Sequence, residues 1–236
     1  MSRDFYTMDE LIRQLGRDRR LVQKQVSRGQ IPGRRVSGEW RFNKAEISDW
    51  LEREITEFSE SDLATLERSQ QSHEVCDLSP VARLMPPELV QVPLNAGTRP
   101  SVLKELVTVA ARTWQVFDTS AVLQAVRQRE EVSSTGFAGG VAVPHPQQRM
   151  PDVVGEPLIA FGRTVSRLPF GGPRRELTDL YFLVLARDQG THLKVLARLG
   201  RLFQVPDFLN NLRLIETSAE THDFIAAADA KLDEGQ

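Results

Sequence analysis

The stretch Ser133-Ser134-Thr135-Gly136-Phe137-Ala138-Gly139-Gly140-Val141-Ala142-Val143-Pro144-His145 decides how the larger part of the chain reads. Its three glycines let the backbone turn tightly and come close to a ligand. The Val141-Ala142-Val143 run that follows is a short buried strand. It presents His145 between Pro144 and Pro146, whose fixed φ makes a rigid mount for one imidazole. Upstream, Ser101 caps a helix with Val102, Leu106, Val109 and Ala110 on one face. Asp118 or Thr119 caps another, with Ala121, Val122, Ala125 and Val126 leading to Arg129-Glu130. Downstream, residues 158–164 and 180–186 read as strands. Asp188-Gln189-Gly190-Thr191-His192 then opens a helix carrying Leu193, Leu196, Ala197, Leu199 and Gly200. His192 falls in its first turn, where the macrodipole and free N–H groups favour an anion. One histidine at a strand end and one at a helix N-terminus make a phosphoryl site if the fold brings them together.

The chain has 236 residues, 40% of them apolar and 26% charged, with a formal charge of −2. That length suits one large domain or two small ones, and the composition is that of a globular protein. A lone Cys76 excludes an internal disulfide framework and fits a reducing compartment. The longest apolar run, residues 180–186, falls far short of the roughly 18–20 needed to span a bilayer. Met1-Ser2-Arg3-Asp4-Phe5 has no apolar core of an export signal, so a cytoplasmic location with no membrane partner is expected. The small net charge hides an uneven distribution. Residues 1–55 hold 12 Lys and Arg against 9 Asp and Glu, a charge of +3. Residues 56–78 hold one Arg against 6 acids, a charge of −5, and residues 79–236 hold 17 of each. A basic head, an acidic connector and a neutral body form a domain layout, and such asymmetry points to nucleic acid.

In the head, Thr7-Met8-Asp9-Glu10 is a capping box, followed by Met8, Leu11, Ile12 and Leu15 on one helical stripe that ends at Gly16. Asp18 caps a second helix from Arg19 to Arg28, closed by Gly29, with Val22 and Val26 inward and Leu21 at the edge. The outer face of this helix carries Arg19, Arg20, Gln23, Lys24, Ser27 and Arg28. Two short helices joined by a tight turn, the second cationic outside, form a helix-turn-helix whose second helix suits the major groove of double-stranded DNA. Gln23 and Arg19 suit base edges, while Lys24 and Arg28 suit phosphates. The alternating run from Arg34 and Arg35 through Ser37-Gly38 to Trp40, Arg41 and Phe42 reads as a small hairpin or wing. Asn43 with Glu46 repeats the capping logic for a third helix, with Ile47, Trp50 and Leu51 packed inward. In the connector, Phe58, Leu63 and Leu66 mark a weakly amphipathic helical extension.

The run from Thr7 to Leu51, with its Gly29–Pro32 turn, Gly38-x-Trp40-Arg41 wing and Trp50-Leu51 end, resembles the excisionase/MerR-like winged helix-turn-helix. The body resembles the fructose/mannitol-type enzyme IIA domain of the bacterial sugar phosphotransferase system, closest to its nitrogen-related branch. That likeness rests on Arg129-Glu130, Ser134-Thr135-Gly136 and Gly140-Val141-Ala142-Val143-Pro144-His145. Phe170-Gly171, the strand around Asp179 to Ala186, and His192-Leu193 extend it. It implies that His145 accepts a phosphoryl group from the phosphohistidine of an HPr-type carrier. His192 would be the second active-site histidine, hydrogen-bonding the phosphate, and Arg129 would offset its charge. Ser134, Thr135, Gly136 and Gly140 are expected to support the phosphate site. The route requires no metal or other cofactor, and the sequence shows no metal-ligand cluster. Enzyme IIA domains usually follow this histidine with Gly and a basic residue; here it is Pro146-Gln147-Gln148, and the cation is delayed to Arg149. His73, Cys76 and His222 match nothing in that family and read as connector or surface residues.

The expected architecture is therefore an α/β two-domain chain: a winged helix-turn-helix over 1–55, an acidic linker over 56–79, and an enzyme IIA-like domain over 80–232. The resemblance implies a mixed five-stranded sheet flanked by helices in that last part. The expected function is a DNA-binding regulator whose phosphorylation state modulates DNA or partner binding. One alternative is a working phosphocarrier whose head serves for docking. Another is an architectural DNA-binding protein with an inactive appendage. Winged helices of this type commonly act as homodimers on paired half-sites, and no dimer interface can be read from the sequence.

Overall fold

The computed structural model describes residues 4–70 and 80–234. The head opens with β1 (Phe5–Tyr6) and α1 (Met8–Leu15), where the capping box forms in both directions: Glu10 N donates to Thr7 Oγ1 and Thr7 N to Glu10 Oε2. Gly16 closes α1 in the left-handed conformation, φ +64°. Asp18 caps α2 (Arg19–Ser27) by accepting from Arg20 N and Leu21 N. The wing is β2 (Arg34–Val36) and β3 (Glu39–Asn43), joined by Ser37 and Gly38, both at positive φ as a tight hairpin turn requires. β1 adds to β3 on its other side, so the wing is a three-stranded sheet in the order β1-β3-β2, one strand more than the sequence pattern announces. Asn43 then caps α3 (Lys44–Glu54), while Glu46 pairs with Arg34 at 3.1 Å.

Part of the acidic connector is a packed helix, α4 (Glu60–Ser69), capped by Ser59. Its Leu63 and Leu66 are fully buried. The expected amphipathic extension is thus present, and it fills the seam between head and body. His73 and Cys76 lie outside the described residues. The body runs α5 (Pro80–Leu84), β4 (Val90–Leu94), α6 (Arg99–Ala110), α7 (Thr119–Val132), β5 (Gly136–Phe137), β6 (Val141–Ala142), β7 (Leu158–Pro169), β8 (Leu177–Leu185), α8 (Gln189–Gln204), α9 (Phe208–Leu214) and α10 (Ser218–Glu234). Two caps resolve differently from expectation or between alternatives. Thr98 caps α6, with Ser101 completing the box from its third position, and Asp118 rather than Thr119 caps α7.

The body strands form one mixed sheet in the order β4-β7-β8-β6-β5, with β4 parallel to β7, β7 antiparallel to β8, and β8 parallel to β6. Side-chain alternation divides the core in two. Ile159, Phe161, Leu180, Phe182 and Val184 face one side, where α8 and α10 lie. Ala160, Tyr181, Leu183 and Leu185 face the other, against α6 and α7. The first of these cores does not stop at the body. It continues through Leu196 and Leu199 of α8 to Leu63 and Leu66 of α4, then to Ile47, Leu51 and Ile55 and on into the head. Gly200 allows the close approach, since a Cβ there would stand 3.0 Å from Leu63 Cδ1.

Candidate functional site

His145 leaves β6 as the sequence predicts, and Val184 N donates to the carbonyl of Pro144 at 2.9 Å, tying the mount to the central strand β8. The imidazole is 3% exposed, and its Nδ1 stands 2.7 Å from the carbonyl oxygen of Val143. A carbonyl only accepts, so Nδ1 carries the proton and, in the neutral ring, the lone pair is on Nε2. His192 is the fourth residue of α8, whose N-cap Asp188 accepts from Thr191 N. Its ring is fully buried, with its centroid 4.7 Å from that of His145. The fold therefore brings together the two histidines that the sequence places 47 residues apart.

Between them stands a residue that sequence reasoning did not single out. Glu52, from α3 of the head, offers Oε2 to His145 Nε2 at 3.1 Å and Oε1 to His192 Nε2 at 3.0 Å. Arg129 Nε lies 3.5 Å from Oε2, and Arg149 Nη2 lies 3.5 Å from Oε1. One carboxylate, its side chain 2% exposed, thus meets two imidazoles and two guanidiniums. Burial alone would raise its pKa, but the hydrogen bonds donated by His145 and His192 outweigh this and hold it well below the usual carboxylate range. Burial, with the nearby Arg149 cation, lowers His192 to about 3 against the pull of Glu52. His192 is therefore neutral at pH 7 and donates from Nε2, and its Nδ1 has no hydrogen-bond partner among the described residues. Burial also lowers Arg149, to about 10, which leaves it charged at neutral pH.

Arg129 enters the site as expected, held by a bond from Nη1 to the carbonyl of Ser133 at 2.8 Å. Ser134, Thr135 and Gly136 line the same pocket of about 220 Å³ as His145 and Glu52. Both hydroxyls are engaged in holding the loop: Ser134 Oγ donates to the carbonyl of Phe170, and Thr135 Oγ1 to Glu130 Oε2. Gly140 is elsewhere. Its φ of +74° turns the chain into β6, and its neighbours are Leu177, Asp179 and Arg213. The delayed cation Arg149 folds back, donating to the carbonyls of Pro146 and Gln147 at 2.6 and 2.9 Å. Three intervening residues make a turn that returns it to the histidine. The sequence showed the delayed position of this cation but not its return; for Glu52 there was no signal at all, because its partners lie 93 and 140 residues away. His222 is half-buried on α10, its ring 3.1 Å from Asp223.

Two histidines and a carboxylate with ligand atoms within 4.8 Å of one another also form a set that a divalent ion could use. The two guanidiniums on the same carboxylate oppose that, since their positive potential favours an anion.

On the head, Arg20, Gln23 and Lys24 are exposed on α2 and Arg28 at its C-cap, and Ser27 spends its hydroxyl on the carbonyl of Lys24. Arg19 pairs with Asp9 at 2.5 Å, Arg41 with Glu39 at 2.5 Å, and Arg34 with Glu46. Arg35 lies over the Trp40 ring. A cleft between α2 and the wing is lined by Arg19, Gln23, Gly38 and Arg41. Docking of α3 on the body leaves this face open.

Residues 83–228 match the family described as "Phosphoenolpyruvate-dependent sugar phosphotransferase system, EIIA 2", and residues 5–54 match a helix-turn-helix domain. A nitrogen regulatory protein of Bradyrhizobium diazoefficiens is 30% identical over 155 residues, 64% of this chain and 97% of that one. A fructose-specific EIIA component of Haloferax volcanii is 26% identical over 152 residues, again 64% of this chain and 97% of that one. Among solved structures, the nitrogen regulatory protein IIA-Ntr of Neisseria meningitidis superposes with a TM-score of 0.53 at 22% identity, covering 61% of this chain and 98% of that one. The mannitol IIA protein of Escherichia coli gives 0.52 at 18%, covering 58% and 96%. No helix among the described residues is long and apolar enough to cross a membrane. A five-stranded mixed sheet bearing the paired histidines, preceded by a helix-turn-helix, places this chain in the EIIA type 2 family of the phosphoenolpyruvate-dependent sugar phosphotransferase system.

Proposed function

We propose that this protein is a DNA-binding regulator whose EIIA domain accepts a phosphoryl group on His145 from an HPr-type phosphohistidine carrier, and that phosphorylation changes DNA or partner binding. The observation that carries the reading is the buried His145–His192 pair, with Nδ1 of His145 held by the Val143 carbonyl. In that tautomer the Nε2 lone pair attacks phosphorus, the P–N bond to the carrier breaks, and its electron pair returns to the carrier imidazole. Phosphoryl transfer needs this in-line alignment and donors around a spreading negative charge. His192 Nε2–H, Arg129 and Arg149 are the groups suited to that role. Ser134, Thr135 and Gly136 shape the wall of the pocket; Gly140 acts only through the turn into β6. The exposed outer face of α2 supports DNA as the partner of the head, with Gln23 for base edges and Arg20, Lys24 and Arg28 for phosphates.

The test is incubation with phosphorylated HPr, comparing wild type with His145→Ala, followed by DNA retardation of both the modified and unmodified wild type. Label that persists in His145→Ala refutes the acceptor assignment. Equal DNA affinity with and without phosphate removes the regulatory link and leaves the chain as a phosphocarrier.

A further inference from the structure

We infer that the His145 pocket is also the receptor for helix α3 of the same chain, with the Glu52 carboxylate standing where an incoming phosphoryl group would stand. The contact is observed; its consequence for phosphorylation rests on the acceptor reading above.

The geometry around Glu52 is that of an anion in its cradle. Both carboxylate oxygens are used, each meeting one imidazole Nε2–H and one guanidinium. Three of these four groups, His192, Arg129 and Arg149, are the ones suited to a transferred phosphate, and the fourth, His145 Nε2, is the atom that would bond to it. The path to His145 Nε2 is filled by the carboxylate, and the ring is 3% exposed, so no donor phosphorus can line up with it. The block is electronic as well as steric. Nδ1 already faces a carbonyl acceptor, and Nε2 faces a second acceptor, so the Glu52 contact is a hydrogen bond only when Nε2 is protonated too. A ring protonated on both nitrogens has no lone pair with which to attack.

α3 is held in this position by more than one residue. Asp49, one turn before Glu52, accepts from Gln147 Nε2 at 3.5 Å in the loop after His145. Ile55, one turn after it, is buried in the apolar core shared with Leu196 of α8. Gln147 thus occupies a basic position of the resembled family's motif and instead contacts the head. A phosphoryl group on Nε2 would carry roughly −1.5 to −2 charges into the volume that Glu52 fills. The two anions cannot share it. Docking of α3 and phosphorylation of His145 therefore exclude each other: the carrier can act only when the head has left, and the modified pocket cannot take the head back. Because α2 is exposed while α3 is docked, the exchange alters how the head is held without uncovering its DNA face.

The experiment uses the full chain as wild type, Glu52→Ala and the near-isosteric Glu52→Gln. Ethoxycarbonylation of His145 by diethylpyrocarbonate reads the free Nε2 lone pair without any carrier. Transfer from phosphorylated HPr reads the acceptor reaction, and amide hydrogen exchange over residues 49–56 reads the docking of α3. We expect His145 of Glu52→Ala to be modified at least tenfold faster than that of wild type, with Glu52→Gln between them. Phosphoryl transfer should accelerate in the same order, and phosphorylated wild type should lose protection over 49–56. Equal modification of His145 in all three forms overturns the inference. So does a phosphorylated wild type that keeps its protection. Faster modification of the variants while no form accepts phosphate overturns the acceptor reading and upholds Glu52 as the occupant of the pocket.

Discussion

Arg198 is the residue whose loss should most weaken the seam between connector and body. It is 1% exposed, and all five of its N–H donors are used. Nε donates to Asp229 Oδ1 at 2.6 Å; Nη1 donates to Asp233 Oδ1 at 2.6 Å and Glu67 Oε1 at 3.2 Å. Nη2 donates to Asp233 Oδ2 at 2.7 Å and to the carbonyl of Asp229 at 2.5 Å. One guanidinium on α8 thereby joins α4, through Glu67, to α10. Arg201, one turn along, repeats the link to Glu67 at 2.7 Å and adds Glu60 at 2.9 Å. Arg198→Met retains the stem and removes the cation, so five hydrogen bonds are lost, and the fully buried Asp229 keeps the Ala82 N–H at 3.0 Å but loses the guanidinium that faces it. Breaking a buried ion pair on one side costs about 3–5 kcal/mol, a large share of a typical stability of about 5–15 kcal/mol. With a urea dependence of about 3 kcal/mol per molar, the unfolding midpoint should fall by roughly 1–1.7 M. Arg198→Lys keeps the charge with three donors instead of five, and should lie between. Equilibrium urea unfolding at pH 7 measures all three forms. A loss below about 1 kcal/mol in Arg198→Met, or a Lys variant as weak as the Met variant, would refute the clamp.

The other predictions concern acid and salt. His192 has a folded pKa of about 3 against an unfolded value of 6.5, so below pH 6.5 only the unfolded chain takes its proton. Stability should be independent of this group above pH 6.5 and fall as pH drops below it, by at most about 1.4 kcal/mol per unit, levelling near pH 3. The groups facing it are Glu52, His145 and Arg149; Glu52 stays ionised across that window. Urea unfolding at pH 7 and pH 5 checks this, and His192→Gln should flatten the slope; an unchanged slope refutes it. On the head, Lys24→Ala and Arg28→Ala should weaken binding alike on all DNA sequences and reduce the salt dependence by about one charge each. Retardation assays across a salt series measure this, and wild-type affinity at every salt concentration would remove α2 from the groove.

Much of the molecule was legible locally because its signals are local. The capping residues Thr7, Asp18, Asn43 and Asp118 act within three residues of themselves, and each forms the bond its type announces. The alternation along β8 separates Leu180, Phe182 and Val184 from Tyr181, Leu183 and Leu185 as period two requires. Where the reading slipped, a neighbour competed. Thr98 took the cap of α6 that Ser101 could have held, and β1 joined the wing because β3 offered an unpaired edge.

The sequence by itself determined two domains, a helix-turn-helix, a rigidly mounted His145 and a His192 at a helix start, since caps, glycines and prolines act on their own backbone. Only the tertiary structure decided that the histidines meet, that Arg149 returns to them, that Gly140 does not, and that Glu52 stands between them. A carboxylate after Trp50-Leu51 looks like any solvated helix residue. Its role comes from partners 93 and 140 positions away, which become neighbours only when the apolar seam of α3, α4 and α8 closes and removes the water that would otherwise screen them.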